Sequence, residues 1–190
     1  MEVAERTALI LHGWNDDPNA GWLGWLQAEL GRRGFHLFVP VFSTEARPLL
    51  PQWQAQLDKY APELNEGSLI VAHSLGAFLA LRLLEALPTY CAVGAVVLVS
   101  GFYDAPNPSA RRWFEPEPDW QKLQAKAARY ICVYSDDDTI VTPDRTRRLA
   151  HKLSAELVCL PGHGHFLGSR GLNQLPELIE LLEDSGALAS

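Results

Sequence analysis

Three residues of this chain have the side chains that acyl transfer requires: Ser74, Asp138 and His165. A serine hydroxyl becomes a nucleophile when an imidazole takes its proton, and a carboxylate orients that imidazole and stabilises its charged form. Each of the three follows an apolar segment of the chain. Because the carboxyl ends of parallel strands meet at one edge of a sheet, the three could lie together there. We therefore predict that Ser74 is the nucleophile, Asp138 the acid and His165 the general base.

Ser74 lies between an apolar segment typical of a buried strand, residues 68–72, and a segment with helical apolar spacing, residues 75–87. A serine at such a junction sits on the sharp turn called a nucleophile elbow, G-x-S-x-G. Gly76 fills the last small position, and Ala72 stands where the first glycine is usual. The same five residues also fit an ordinary strand-to-helix turn, so the assignment depends on the acid and the base as well.

Three consecutive aspartates, residues 136–138, follow another predicted strand. Asp138 is the preferred acid because the apolar residues Val141 and Pro143 come shortly after it. The first two aspartates are expected to form the turn through local hydrogen bonds from side chain to backbone. Asp104, which follows the strand predicted to end at Val99, is a rival for the acid.

Two histidines in a glycine-rich loop, His163 and His165, are candidates for the base. His165 precedes Phe166 in a Gly-His-Phe sequence and is preferred, while His163 is expected to shape the loop. Asp138 is expected to raise the pKa of His165 by favouring its charged form, so kcat/KM should rise through one ionisation at about pH 6 to 8. The H-x-H spacing could also chelate a metal ion, which makes a metal-dependent hydrolase an alternative. No matching set of ligands accompanies it, and we predict neither a metal nor an organic cofactor.

The turn His12-Gly13-Trp14 directly follows the first predicted strand. Acyl transfer needs two hydrogen-bond donors aimed at the developing oxyanion. We predict that these are the backbone N–H groups of Trp14 and of Leu75. The alternative is an ordinary strand-ending turn in which His12 makes a structural hydrogen bond.

Aromatic side chains near these segments could line an apolar pocket for the acyl group. The candidates are His12, Trp14, Phe102, Trp113, Phe114 and Phe166, although aromatic residues in a small domain more often belong to its core. No cap segment is evident, so the predicted pocket is shallow and suited to short acyl chains.

Strand and helix patterns alternate along the chain. The predicted strands cover residues 7–11, 35–39, 68–72, 95–99, 130–134 and 156–160, and the predicted helices cover residues 22–33, 49–60, 75–87, 120–129, 143–153 and 174–183. Residues 104–118, with four prolines, are expected to be irregular. This alternation predicts an α/β fold, a three-layer α/β/α sandwich with a mostly parallel sheet of about six strands, in a single domain over residues 1–190.

The composition limits the classes of partner. The chain has 190 residues, a formal net charge of -7 and a hydrophobic fraction of 47%, which is ordinary for a soluble globular protein. The negative charge argues against binding to nucleic acid or to an anionic membrane surface. No segment approaches the roughly 20 apolar residues of a membrane span, and no signal-peptide pattern is present, so a cytoplasmic location is expected. The expected partner is a small-molecule acyl substrate.

The three cysteines lie in or beside apolar runs, at Cys91, Cys132 and Cys159. We expect them to be buried structural thiols rather than nucleophiles, because none lies on a turn beside a histidine.

The chain resembles the α/β-hydrolase superfamily, in which the triad follows the order serine, acid, histidine. More narrowly, it resembles the small serine hydrolases of the retinoblastoma-binding protein 9 type and their bacterial relatives. The resemblance runs nearly end to end and includes residues 12–14, 71–76, 98–102, 135–141, 164–167 and 171–176. It implies a compact fold without a large cap and the triad Ser74, Asp138 and His165. The L-x-C-x-E motif associated with binding of retinoblastoma protein is missing, because residues 157–161 lack the glutamate, so that partner is not expected.

The leading hypothesis is therefore a serine hydrolase, esterase-like, that cleaves a small ester, thioester or amide through an acyl-enzyme. The alternatives are the metal-dependent hydrolase and a binding module that keeps the fold but has a vestigial site.

Overall fold

The apolar segments of the sequence form the strands of one sheet. The structure, a computed structural model, describes residues 6–42 and 50–188. Its strands are β1 (Thr7–Leu11), β2 (His36–Phe38), β3 (Leu69–His73), β4 (Val93–Val99), β5 (Ala127–Tyr134) and β6 (Glu156–Cys159). Every neighbouring pair is parallel, in the order β2-β1-β3-β4-β5-β6. The prediction of an α/β fold with a mostly parallel, six-stranded sheet is confirmed.

Helices make the connections between the strands. They are α1 (Gly21–Arg32), α2 (Leu50–Asp58), α3 (Leu75–Ala86), α4 (Arg111–Phe114), α5 (Trp120–Gln124), α6 (Pro143–Leu153) and α7 (Pro176–Asp184). Residue 49, the predicted start of the second helix, lies outside the described residues. The segment predicted to be irregular contains α4 and a short 3-10 helix, Pro108–Ala110. Within the described ranges, no helix is both long and apolar enough to cross a membrane.

The inner strands of the sheet are buried on both faces. In β1, Leu9 and Leu11 point into a core shared with α2, α3, α5 and α6. Ala8 and Ile10, which alternate with them, point into a second core shared with α1 and α7. The strands β1, β3 and β4 are therefore buried along nearly their whole length, and polar side chains that could do chemistry lie mainly at the carboxyl ends of the strands and in the loops that follow.

The helix predicted over residues 120–129 is too long. It ends at Gln124, and β5 begins at Ala127. Arg129 is already in register with Ala95 of β4, and the Tyr130 hydroxyl donates to the Leu123 carbonyl at 2.5 Å. Pairing with β4 therefore extends β5 towards the N-terminus, although the alanines at the start of β5 favour a helix.

Only one cysteine is fully buried, so that prediction is partly wrong. Cys132 lies in the middle of the sheet, where burial raises the pKa of its thiol to about 12. Cys91 is half-buried, and Cys159 is exposed. Cys159 is exposed because β6 is the last strand of the sheet and most of its residues face solvent.

Candidate active site

Ser74 occupies a strained turn between β3 and α3. Its φ of 52° and ψ of -120° are unusual for a residue with a side chain. The turn fits only because its neighbours are small: a Cβ on Gly76 would lie 2.7 Å from the carbonyl oxygens of Leu11 and His12. The backbone N–H of Ser74 donates to the Val99 carbonyl of β4 at 2.9 Å. The elbow is thus fixed against the two strands on either side of β3.

The structure brings Ser74, Asp138 and His165 into one hydrogen-bonded row. His165 Nε2 lies 2.9 Å from Ser74 Oγ, and His165 Nδ1 lies 2.8 Å from Asp138 Oδ2. When Nδ1–H donates to the carboxylate, Nε2 carries the lone pair that accepts from the serine hydroxyl. All three residues are buried or nearly so, with 9% of Ser74 exposed. This arrangement can take a proton from Ser74 and stabilise the imidazolium that results.

The carboxylate of Asp138 has hydrogen-bond partners at both oxygens. The amides of Ile140 and Val141 donate to Oδ1 at 2.9 and 3.0 Å. The Ser100 hydroxyl donates to Oδ2 at 2.8 Å, beside the imidazole of His165. Burial opposes the charged form, but the hydrogen bonds from His165, Ser100 and Ile140 outweigh it, so the pKa of Asp138 lies below its ordinary value. The acid is therefore ionised and fixed in orientation.

The aspartates before Asp138 tie two loops together, which the sequence-based expectation of local turn bonds missed. We call residues 135–141 the aspartate loop and residues 161–166 the histidine loop. Asp136 Oδ1 accepts from the Gly162 amide at 3.0 Å, and Asp137 Oδ1 accepts from the Gly164 amide at 2.8 Å. Gly164 has a φ of 56°, a conformation that favours glycine. Asp136 and Asp137 therefore help to place the loop that carries His165.

His163 packs inside the histidine loop. Its ring stacks on Phe166 at 5.4 Å between centroids, and its Nδ1 lies 3.0 Å from the Pro161 carbonyl. The two ring nitrogens of His165 face Ser74 and Asp138. Across the described residues, no group of three or more histidine, cysteine or acidic side chains is placed to hold a metal ion. The geometry thus favours the proton-transfer arrangement over a metal site built on the H-x-H spacing.

The rival acid, Asp104, points elsewhere. It lies 2.8 Å from Arg145 and 3.2 Å from Arg148 and is 40% exposed. The carboxylate of Asp104 therefore pairs with two arginines of α6, whereas the imidazole of His165 pairs with Asp138.

A second histidine and carboxylate, His73 and Asp16, lie next to the hydrogen-bonded row of Ser74, His165 and Asp138. His73 Nε2 is 2.9 Å from the backbone carbonyl of His165, and His73 Nδ1 is 3.3 Å from Asp16 Oδ2. The indole N–H of Trp22 donates to the next carbonyl, that of Phe166, at 2.8 Å. Two side chains of the scaffold thus hold consecutive carbonyls of the histidine loop.

Burial decides the direction of the His165 pKa shift. Desolvation lowers the pKa most, the hydrogen bond to Asp138 raises it, and the nearby His73 lowers it further, so the net pKa is below the ordinary value of 6.5. The expectation that Asp138 would raise it is therefore wrong in its net sign. The sequence names the charged partner but does not show how deeply the imidazole is buried.

A cavity of about 500 Å³ opens beside Ser74. Four of the aromatic candidates line it: Trp14 of the turn after β1, Phe102, Trp113 and Phe114 of α4. The segment after β4, residues 102–114, forms much of its wall. A cavity of this volume accepts a small acyl group or a short chain.

Two predicted pocket residues do not line this cavity. His12 is fully buried: its Nε2 accepts from the Phe42 amide at 2.9 Å, and its Nδ1 lies 2.7 Å from the Gly13 carbonyl. His12 therefore has the structural role that was its alternative. Phe166 is fully buried in the core on the other face of the sheet, among residues of α1 and α7. Its aromatic ring is used for packing, as for most aromatic residues in a small domain.

Comparison with known proteins assigns the chain to a family. The family model described as serine hydrolase matches residues 8–184. The chain belongs to the serine hydrolase family. YdeN of Bacillus subtilis is 31% identical over 180 residues, which cover 93% of this chain and 94% of YdeN. The serine hydrolase RBBP9 of Rattus norvegicus is 27% identical over 164 residues, which cover 82% of this chain and 83% of RBBP9.

Solved structures agree with this assignment. The crystal structure of the ydeN gene product from B. subtilis superposes with a TM-score of 0.87 at 30% identity, covering 94% of this chain and 97% of that one. A carboxylesterase structure from the Thaumarchaeon Nitrososphaera gargenis superposes with a TM-score of 0.72 at 13% identity, covering 98% and 92% of the two chains, a likeness of fold. The resemblance to small serine hydrolases of the bacterial branch is thereby confirmed, and the chain is a hydrolase.

Sequence reasoning missed three residues that support the row in this serine hydrolase. In the sequence, Ser100 stands out only as part of the family resemblance, although it follows β4 as Ser74 follows β3. It has a φ of 47° and is fully buried against Asp138. His73 and Asp16 gave no signal, because a histidine before a serine and an aspartate in a polar loop are both ordinary. His73 is the last residue of β3, and Asp16 lies in the loop that follows β1.

Proposed function

We propose that this serine hydrolase is a carboxylesterase-type enzyme that cleaves a small ester, thioester or amide through an acyl-enzyme on Ser74. The observation that carries the proposal is the pair of contacts at His165: 2.9 Å to the Ser74 hydroxyl and 2.8 Å to the Asp138 carboxylate. Both are hydrogen-bond distances, and together they match the roles of nucleophile, base and acid.

In the first half-reaction, Ser74 Oγ attacks the carbonyl carbon of the substrate while His165 Nε2 takes its proton. Asp138, which is ionised, stabilises the imidazolium. The imidazolium then gives the proton to the departing alcohol, thiol or amine, and the acyl group remains on Ser74. Water repeats the sequence with the same base, which releases the acid and restores the serine.

The negative charge of the tetrahedral intermediate needs donors, and we assign the backbone N–H groups of Leu75 and Trp14 to this role. Both residues line the cavity beside Ser74. Leu75 is the first residue of α3, where the helix dipole favours negative charge. Gly13 brings the turn after β1 close to the nucleophile, since a Cβ at that position would lie 3.0 Å from the Ser74 Cβ.

The pH dependence of kcat/KM tests the base. Only neutral His165 can accept the proton, so the rate should be constant above its pKa and fall about tenfold per pH unit below it. Because that pKa is lowered from 6.5, the midpoint of the acid limb should lie below pH 6.5. The measurement is kcat/KM for p-nitrophenyl acetate in buffers of constant ionic strength.

His163→Ala is the matched control, because its ring lies in the same loop and does not contact Ser74. It should keep the midpoint, whereas His165→Ala should abolish turnover at every pH. A chelator should leave the profile unchanged. A midpoint well above pH 7, or a rate that is lost with chelator and restored by zinc, would contradict the assignment of His165.

A further inference from the structure

The cavity beside Ser74 has a charge opposite to that of the whole chain. The chain has a formal net charge of -7. Of the described residues that line the cavity, two are charged, and both are arginines, Arg112 and Arg145. No carboxylate is among these lining residues, and an excess of positive charge is what an anionic ligand requires.

Arg145 is already neutralised and acts as part of the wall. Its Nε donates to Asp104 Oδ1 at 2.9 Å. Its guanidinium carbon also lies 4.4 Å from the centre of the Phe102 ring, and only 12% of its side chain is exposed. Arg145 therefore contributes no unpaired positive charge to the cavity.

Arg112 has no such partner among the described residues. Within the part of the chain that the structure describes, no carboxylate lies within 4.0 Å of its guanidinium. The guanidinium carbon lies 4.7 Å from the centre of the Trp113 ring, which also lines the cavity. A guanidinium on an aromatic face is oriented and still has its N–H groups available to an anion.

The neighbouring arginine shows the contrast. Arg111 pairs with Glu115 at 2.6 Å, one turn along the chain, and does not line the cavity. One of the two arginines of α4 thus pairs with the acidic residue that follows the helix, and the other stays at the cavity.

The polar residues near Arg112 are suited to the same kind of ligand. The Oδ1 atom of Asn107 is occupied by the Ala110 amide at 3.1 Å and by the Ser109 hydroxyl at 2.6 Å. Its amide nitrogen is then the group that can still serve a ligand, and it is a donor. Asn107 and Arg112 together offer donors to a ligand rich in acceptors.

We propose that the substrate carries an anionic group, a carboxylate or a phosphate, that binds Arg112 in the cavity while its scissile carbonyl lies at Ser74. This inference rests on the proposed function and specifies its substrate class. The anion could belong to the acyl chain or to the leaving group, and Arg112 would recognise it in either place.

The test compares charged and neutral esters of matched size. For the acyl side, the pair is the p-nitrophenyl monoester of glutaric acid and p-nitrophenyl pentanoate. For the leaving-group side, the pair is p-nitrophenyl acetate with and without a carboxylate on the ring. The measured quantity is the ratio of kcat/KM for the anionic ester to that for the neutral ester, in the unmodified enzyme and in Arg112→Gln, Arg112→Lys and Arg111→Gln.

In the unmodified enzyme, at least one pair should show a preference for the anionic ester of about two- to fivefold, the range expected for a solvent-exposed charge pair. Arg112→Gln should abolish this preference, Arg112→Lys should keep much of it, and Arg111→Gln should retain it. Salt should weaken the preference, because added ions screen the attraction.

Equal rates on charged and neutral esters in the unmodified enzyme, or a preference that survives Arg112→Gln, would overturn the proposal. A proportionate loss on both esters in Arg112→Gln would also overturn it, since that indicates a role in packing on Trp113. Failure of the proposed function is separate: it would appear as unchanged hydrolysis of the neutral esters by Ser74→Ala.

Discussion

Ser74→Ala should remove turnover and leave the fold intact. The hydroxyl is the atom that forms the acyl-enzyme, and loss of a nucleophile of this kind costs about a millionfold in kcat in a well-studied serine protease. The substitution keeps the Cβ and therefore the backbone strain at φ 52°. It removes one hydrogen bond, so Tm should shift by no more than about 4 °C, or about 1 kcal/mol for a chain of this length.

The measurement is hydrolysis of p-nitrophenyl acetate, with thermal unfolding followed by circular dichroism. Ser154→Ala is a matched control, because Ser154 also has a positive φ, of 54°, but ends α6 away from the cavity. It should keep the rate of the unmodified enzyme. Unchanged turnover by folded Ser74→Ala would show that the nucleophile is elsewhere.

Asp138→Asn should lower kcat by about ten-thousandfold, the loss measured for the equivalent change in a serine protease. If the amide nitrogen of the asparagine faces His165, two N–H groups oppose each other, and the imidazole turns to the tautomer that cannot accept from Ser74. If the amide is reversed, its nitrogen opposes the N–H groups of Ile140 and Val141, which now donate to Oδ1. Neither orientation satisfies the site.

Asp136→Asn provides the matched control in the same loop. Its side-chain oxygen can still accept from the Gly162 amide, so its loss should stay below about tenfold. Equal losses at both positions would indicate collapse of the aspartate loop. An active Asp138→Asn beside an inactive Asp104→Asn would transfer the role of acid to Asp104.

The order and spacing of the apolar segments carry enough information to predict the sheet and the edge at which Ser74, Asp138 and His165 meet. In a parallel sheet, residues that follow successive strands converge whatever the length of the helices between them. This is why residues separated by 91 positions, such as Ser74 and His165, can be paired from the sequence. The domain boundaries at residues 1 and 190 and the cytoplasmic location stay predictions.

The sequence does not show which side chains pack around Ser74, Asp138 and His165 at this edge of the sheet. The contacts of Ser100 with Asp138 and of His73 with the His165 carbonyl depend on strand register and on the depth of each loop. Burial also excludes His12 from the cavity wall and gives it a structural role. It likewise determines the direction of the His165 pKa shift. Such properties belong to the packed structure, so residue type and spacing alone do not predict them.

Covalent labelling with a fluorophosphonate tests the central claim most directly. The reagent reacts with a serine only where a base has activated it, so intact mass followed by peptide mapping should find a single adduct, on Ser74. Labelling should abolish hydrolysis in proportion, and it should be absent from Ser74→Ala and from His165→Ala. An adduct on a different residue, or full hydrolysis by an enzyme that the reagent does not label, would contradict the account.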